Sequence, residues 1–290
     1  MREKSGFVNA TGYKLFYRSF EANRPKGVVL GLHGGPGSTH EYLLPLTDLV
    51  EHGYRVVLMD QLGCGRSERP KDSSISTLEH NVDEVEEVRQ ALDLGRVHLM
   101  GSSYGGMLAL AVALRHPAGL QTLVTTGGLA SVPHTVREMH RLVRELPEGA
   151  REAIEHYGPL GMFQHPKYLA AVQEFYQRHL CRLSEWPPEL LRSLEETNHH
   201  VYGRMNGPNE FTIIGTIKDI DLTDQLSRIR IPTLVTGGRY DEVTPQEARR
   251  IHESIPGSEW VVFEESAHVP MWEERARYIE TLAAFFDGHA

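Results

Sequence analysis

Residues 97–114, with the sequence VHLMGSSYGGMLALAVAL, contain no Asp, Glu, Lys or Arg. The stretch is about as long as the ~18 apolar residues that a membrane-spanning helix needs. Its centre, however, is the run Gly-Ser-Ser-Tyr-Gly-Gly at 101–106, which interrupts a continuous helix. The pattern therefore predicts a buried strand at 97–100, a sharp turn, and a buried helix at 107–114. We expect no transmembrane segment here.

Similar short apolar runs recur along the chain and predict the strands of a sheet. They are uninterrupted by polar residues, which is typical of parallel strands buried on both faces. They lie at 27–32, 54–59, 120–125, 231–236 and 260–263. Residues 7–9 and 14–20 predict an N-terminal hairpin, and 77–92 have helical spacing of apolar residues. Alternating strands and helices favour a doubly wound, mostly parallel α/β sheet.

The alternation stops near Ser131 and resumes near Ile231. The residues between them are helix-rich, are broken by several prolines, and contain no convincing strand. We therefore predict one α/β core, formed by 1–130 and 223–290, with a helical cap inserted at 131–222.

Composition excludes several classes of function. The chain has 290 residues, 40% of them hydrophobic, and a formal net charge of −9. An acidic chain does not favour nucleic acid, since phosphate binding needs clustered Lys and Arg. The two cysteines, Cys64 and Cys181, are too few for a disulfide framework and are expected to be buried thiols. The first residues are charged with no apolar run behind them, which favours a cytoplasmic protein.

The turn after the first quoted strand has the pattern G-x-S-x-G, with Ser103 at its centre. Such a turn between a strand and a helix holds a nucleophilic serine at the helix N-terminus, where the helix dipole favours negative charge. The alternative is a serine that only caps the helix. The strand–turn–helix context favours the nucleophile.

A serine hydroxyl needs a base and an orienting acid, which in α/β hydrolases follow in the order Ser, Asp or Glu, His. Asp241 and His268 follow the predicted strands 231–236 and 260–263, so both are expected at carboxyl ends of strands. Glu242 is a nearby rival for the acid. Further rivals upstream are Asp219, Asp221 and Asp224. His98 lies inside a predicted strand and is expected in the core.

An acyl-transfer site also needs donors for the oxyanion. The N–H of Tyr104, which follows the nucleophile, is one candidate. The loop at 33–37, His-Gly-Gly-Pro-Gly, follows an early strand and offers the other, for which we favour Gly35. No histidine pair has the spacing of a zincin, so we expect neither a metal site nor a cofactor.

Taken together, these motifs resemble the proline iminopeptidases of the α/β-hydrolase fold. Within that family the chain looks most similar to the tricorn-interacting aminopeptidase type. The resemblance rests on HGGPG at 33–37, DQLGCGRS at 60–67, GSSYGG at 101–106, GPNEF at 207–211, YDEVTP at 240–245 and SAH at 266–268. It implies that Glu210 and Glu242 bind the free N-terminal amine of a short peptide or amino-acid amide. The alternative for both residues is a solvated surface acid.

Three functions remain open at this point. The first is a cofactor-free serine aminopeptidase that prefers N-terminal proline and accepts other small or apolar residues. The second is an L-amino-acid amidase or esterase with the same triad, because fold alone does not fix function. The third is a non-catalytic ligand receptor, which the complete set Ser103, Asp241 and His268 disfavours. The sequence leaves the oligomeric state open. It also leaves open which cap aromatics face the pocket, among Tyr157, Phe163, Trp186 and Tyr202.

Overall fold

The computed structural model describes residues 2–289, which include one eight-stranded sheet in the order β1-β2-β4-β3-β5-β6-β7-β8. The strands β1 and β2 form an antiparallel hairpin whose second strand pairs antiparallel with β4, and all later pairings are parallel. The strands are β1 Arg2–Ala10, β2 Tyr13–Glu21, β3 Gly27–Leu32, β4 Tyr54–Met59, β5 Val97–Ser102, β6 Leu120–Thr126, β7 Thr233–Gly238 and β8 Glu259–Phe263. The predicted α/β-hydrolase fold with a mostly parallel sheet is confirmed.

Helices cover both faces of this sheet. They are α1 Leu78–Ala91, α2 Tyr104–Arg115, α3 Val132–Arg144, α4 Glu148–Tyr157, α5 Pro166–His179, α6 Pro188–Glu195, α7 His199–Met205, α8 Pro245–Ser254, α9 Pro270–Glu273 and α10 Arg275–Asp287. Successive side chains of a strand point to opposite faces. Thus Leu30 packs in the cluster that holds α1 and α2, while its neighbour Val29 packs with α10 and the 3-10 helix His40–Val50. The apolar runs predict strands because both faces are buried.

One strand begins later than predicted. The run 231–236 was expected to be a strand, and the observed strand β7 starts at Thr233. Pro232 has no N–H to give to a ladder, which explains the shift of two residues. The carbonyl of Pro232 still accepts a hydrogen bond from the N–H of Leu123 on the neighbouring strand.

Five helices, α3 to α7, lie between β6 and β7 in the described chain. They enclose an apolar cluster of their own, which includes Leu142, Ile154 and Phe175. The two ends of the segment run side by side, because Ser131 pairs antiparallel with Asp221. The strand β6 therefore leads out to these helices, and the chain returns beside Ser131 before β7 begins.

Between residues 2 and 289, no helix is both long enough and apolar enough to cross a bilayer. The uncharged stretch 97–114 is instead the strand β5, the turn at Ser103 and the helix α2. Both elements are buried almost throughout.

Candidate active site

Ser103 lies in the sharp turn between β5 and α2, with φ 59° and ψ −127°. A positive φ is unfavourable for a residue with a side chain and costs about 1–3 kcal/mol. The flanking glycines are needed because the backbones approach closely. A Cβ on Gly101 would lie 1.9 Å from the carbonyl oxygen of Gly105, and a Cβ on Gly105 would lie 2.3 Å from that of Leu32. The local sequence thus fixes the strained turn that presents the Ser103 hydroxyl.

Asp241 and His268 lie after β7 and β8, at the carboxyl ends of neighbouring strands. Nδ1 of His268 is 2.6 Å from Oδ1 of Asp241, and both side chains are buried. The same carboxylate oxygen accepts a hydrogen bond from the N–H of Val243 at 2.8 Å. With Nδ1 committed to Asp241, Nε2 is the ring nitrogen of His268 that remains for a reacting group.

Five of the seven residues singled out from sequence line one cavity of about 730 Å³: Gly35, Ser103, Glu210, Glu242 and His268. Asp241 and Tyr104 are buried just outside this lining. Glu242, which sequence left as a rival for the triad acid, faces the cavity, whereas Asp241 contacts the imidazole directly. The side chains of Asp241 and Glu242 therefore point to different places, although the two residues are adjacent in the sequence.

Two glutamates from distant parts of the sequence line the cavity that contains His268. Glu242 is 5% exposed, and its Oε1 lies 3.8 Å from Nε2 of His268. In the described part of the chain, its Oε2 is buried with no hydrogen-bond partner. Glu210 comes from the segment after α7, and its Oε1 accepts a hydrogen bond from the Tyr202 hydroxyl at 2.6 Å. Two carboxyl groups therefore line the cavity that contains His268, and that of Glu242 lies next to its ring nitrogen Nε2.

This arrangement shifts the pKa of both glutamates and of His268. Burial raises the pKa of Glu242 to about 8 and also raises the pKa of Glu210. Burial by itself would lower the pKa of His268, but the charges of Asp241, Glu242 and Glu210 outweigh it and raise that pKa to about 9. A raised pKa means that burial disfavours the charged form of each glutamate, and a nearby cation would restore that form. The cavity is therefore suited to an additional cation.

The peptide between Gly34 and Gly35 is held in one orientation. The N–H of Gly34 donates to the Tyr42 hydroxyl at 2.7 Å, and its carbonyl oxygen accepts from Nδ1 of His33 at 2.9 Å. The N–H of Gln61 donates to Nε2 of His33, which fixes that tautomer. In a trans peptide the N–H points opposite to the C=O. The N–H of Gly35 therefore points away from His33. Gly35 itself lines the cavity.

The side chain of Tyr104 is held by a buried hydrogen-bond network. Its hydroxyl donates to Oδ1 of Asn81 at 2.8 Å, and Nδ2 of Asn81 donates to Glu84 at 3.1 Å. Glu84 also accepts the N–H of Leu62 at 2.9 Å, and burial raises its pKa to about 8. This network holds the first residue of α2, next to Ser103. The sequence carries a signal for it, because Glu84 lies on the apolar face of α1, where an acid is unusual.

Sequence reasoning did not assign His33 and Tyr42 to the site, since neither stands out from a loop or helix pattern. Of the four cap aromatics left open, Phe163, Trp186 and Tyr202 line the cavity. Tyr157 does not, and its ring stacks instead on that of His165 at 3.8 Å. The expected core positions are confirmed: His98 hydrogen-bonds Thr122 inside the sheet, and both cysteines are buried free thiols.

Comparison with known proteins agrees with this architecture. A family model described as the α/β hydrolase fold matches residues 27–275. The proline iminopeptidase of Saccharolobus solfataricus is 46% identical over 286 residues, which cover 98% of this chain and 92% of the relative. That of Thermoplasma volcanium is 48% identical over 288 residues, 99% of this chain and 97% of the relative.

Solved structures give the same result. The crystal structure of proline iminopeptidase from Mycobacterium smegmatis superposes with a TM-score of 0.93 at 32% identity and covers 99% of this chain and 98% of its own. The crystal structure of VinJ superposes with a TM-score of 0.94 at 37% identity and covers 99% of both chains. The chain therefore belongs to the proline iminopeptidase family of the α/β-hydrolase fold.

Proposed function

We propose that this protein is a serine aminopeptidase that releases the N-terminal residue of short peptides, with proline preferred and other small or apolar residues accepted. Relatives named proline iminopeptidase match the chain over nearly its whole length. One observation carries the proposal: a buried carboxylate, Glu242, lies 3.8 Å from Nε2 of His268 in the cavity that also contains Ser103. A plain esterase has no need for an unbalanced carboxylate beside its base.

In this proposal Ser103 attacks the carbonyl carbon of the first residue while His268 takes the hydroxyl proton. Asp241 holds the imidazole through Nδ1 and stabilises its charged form. The C–N bond then breaks, and His268 returns the proton to the departing amine. Water releases the first residue from the acyl-enzyme by the same steps. The oxyanion receives hydrogen bonds from the backbone N–H groups of Gly35 and Tyr104.

Glu210 and Glu242 would bind the free amine of the substrate. An ammonium between them supplies the positive charge that the ligand-free cavity lacks. That charge lowers the pKa of both glutamates and opposes their effect on His268. Since the pKa of His268 is about 9 in the ligand-free protein, most of it is protonated at neutral pH. Binding of the ammonium therefore favours the neutral imidazole, which is the form that accepts the serine proton.

The helical segment 131–222 is proposed as the cap that completes this pocket. It contributes Glu210, together with the aromatic side chains of Phe163, Trp186 and Tyr202, to the cavity that contains Ser103. The core supplies the reacting groups, and the cap supplies one of the two proposed amine ligands. A substrate without a free amine loses the contacts with both glutamates.

The test is Glu210→Gln, assayed on L-proline p-nitroanilide and on the amine-free ester p-nitrophenyl acetate. The ratio of kcat/KM for the anilide to that for the ester should fall by about 100-fold or more, because a buried charge pair is lost for one substrate only. Glu195→Gln, an exposed glutamate of α6, is the matched control and should leave the ratio unchanged. An equal loss on both substrates would show that Glu210 is structural.

Two further measurements separate the other functions. A fluorophosphonate should label the wild-type protein but not Ser103→Ala, and an unlabelled wild type would support a receptor instead of an enzyme. A prolyl tripeptide should be cleaved faster than L-prolinamide, because the cavity of about 730 Å³ is larger than one residue requires. Faster cleavage of L-prolinamide would support the amidase.

A further inference from the structure

The mouth of the cavity is lined by exposed leucines of the cap. Leu169 lies on α5, and Leu191 and Leu194 lie on α6. Their exposed fractions are 47%, 42% and 36%, although large apolar side chains gain from burial. Three leucines exposed at one opening form an apolar rim, which marks a surface made to be covered.

The cavity is also too large for the first residue alone. Its volume of about 730 Å³ lies in the range of roughly 300–1,000 Å³ that accommodates a drug-sized ligand. The first residue is confined to one end by the positions of Ser103 and the two glutamates. The remaining wall is largely apolar and includes Phe163, Val172, Trp186 and Leu190. This volume is available to the group on the far side of the scissile bond.

Within the described residues 2–289, no lysine or arginine lines this cavity. Among the described residues of this lining, the only acidic or basic side chains besides the histidines are Glu210 and Glu242. Arginines of the same helices are engaged elsewhere: Arg178 of α5 pairs with Glu174 at 2.7 Å. Arg192 of α6 pairs with Glu41 at 2.8 Å. Apart from His199 and from His268, which already contacts Asp241 and Glu242, the described lining provides no cationic partner for a substrate carboxylate.

We propose that the outer part of the cavity, the leaving-group subsite, takes an uncharged apolar group on the amine side of the scissile bond. Its ligands are peptides with an apolar second residue and no carboxylate at that residue, or alkyl and aryl amides. This inference rests on the proposed aminopeptidase function. When the C–N bond breaks, the apolar amine leaves from this subsite with the proton returned by His268, and the acyl group stays on Ser103.

A free dipeptide places its carboxylate one carbon from the scissile nitrogen. In this subsite it meets neither lysine nor arginine among the described lining residues and lies against a largely apolar wall, so it is poorly solvated. The measurement compares kcat/KM for Pro-Leu, Pro-Leu-NH2 and Pro-Ser-NH2 at one pH. We expect Pro-Leu-NH2 to exceed each of the other two by about tenfold or more, since burial of a leucine side chain and removal of an unpaired charge each favour it.

A charge-swap pair tests the wall itself. Gln173 lines the cavity but is exposed on α5, so its substitution does not disturb the core. Gln173→Lys should raise the ratio of Pro-Leu to Pro-Leu-NH2 cleavage by about threefold or more, and Gln173→Glu should lower it. Equal rates on the three substrates, or equal ratios in the two variants, would overturn the subsite while leaving the aminopeptidase function in place. If no prolyl amide is cleaved, the function fails and the subsite with it.

Discussion

Replacement of Glu242 by Gln removes a carboxylate whose Oε1 lies 3.8 Å from Nε2 of His268. Two unit charges at about this distance interact by about 1 kcal/mol in bulk water and about 4 kcal/mol at an effective dielectric constant of about 20. One pKa unit corresponds to about 1.36 kcal/mol. The pKa of His268, about 9 in the wild type, should therefore fall by about one to three units in Glu242→Gln.

The assay is the pH dependence of kcat/KM for p-nitrophenyl acetate, which carries no amine and so does not titrate itself. This parameter reports the ionisation of the free enzyme. Neutral His268 is the base, so the rate rises with pH through its pKa, with a midpoint near 9 in the wild type. Glu242, with a pKa of about 8, is charged in the pH range where His268 titrates. In Glu242→Gln the midpoint should therefore lie at least about one unit lower.

The matched control is Glu265→Gln, an exposed carboxylate three residues before His268. Solvent screens its charge, so the midpoint should remain near that of the wild type. An unchanged midpoint in a folded Glu242→Gln protein would refute the reasoning, because it would mean that Glu242 does not act on the imidazole. The same variant should lose most of its activity on L-proline p-nitroanilide, since its amine site is then incomplete.

Two further substitutions test the oxyanion loop and the nucleophile turn. His33→Asn removes the imidazole that donates to the carbonyl oxygen of Gly34. We expect kcat to fall with little change in KM, and by less than the ~10²–10³-fold that loss of an oxyanion donor costs. A change confined to KM would contradict this role. Gly105→Ala places a Cβ 2.3 Å from Leu32 O and should lower the free energy of unfolding by about 1–3 kcal/mol or more, measured by urea denaturation. The control is Gly149→Ala in α4, where an added Cβ would have no atom within 4 Å outside its own helix backbone. This variant should be neutral or stabilising by about 0.5–1 kcal/mol.

The sequence predicted the features that depend on neighbouring residues. Apolar runs gave the strands, because a strand covered on both faces has no room for polar side chains. The spacing of glycines around Ser103 gave the turn, because a Cβ added at Gly101 or Gly105 would lie only about 2 Å from a backbone oxygen. The order of Ser103, Asp241 and His268 along the chain then matched strand ends of an α/β sheet, and the structure brings the last two into contact at 2.6 Å.

Contacts between segments that are distant in the sequence could not be predicted from the sequence pattern. His33 and Tyr42 orient the Gly34–Gly35 peptide through hydrogen bonds that a linear pattern does not reveal. The exposed leucines at the cavity mouth look like ordinary helix residues in the sequence, since their position on the amphipathic pattern does not say what covers them. Only the folded arrangement of α5 and α6 shows that they line one cavity.

The sequence by itself determined the fold class, the strained turn and the identity of the candidate nucleophile. These features depend on short-range steric contacts and on the periodicity of burial, and both follow from residues that are close in the sequence. The tertiary structure decided the electrostatics. Glu210 and Glu242 are 32 positions apart in the sequence and follow α7 and β7, respectively. Their effect on His268 depends on burial and on distances of a few ångströms, which exist only after the chain has folded.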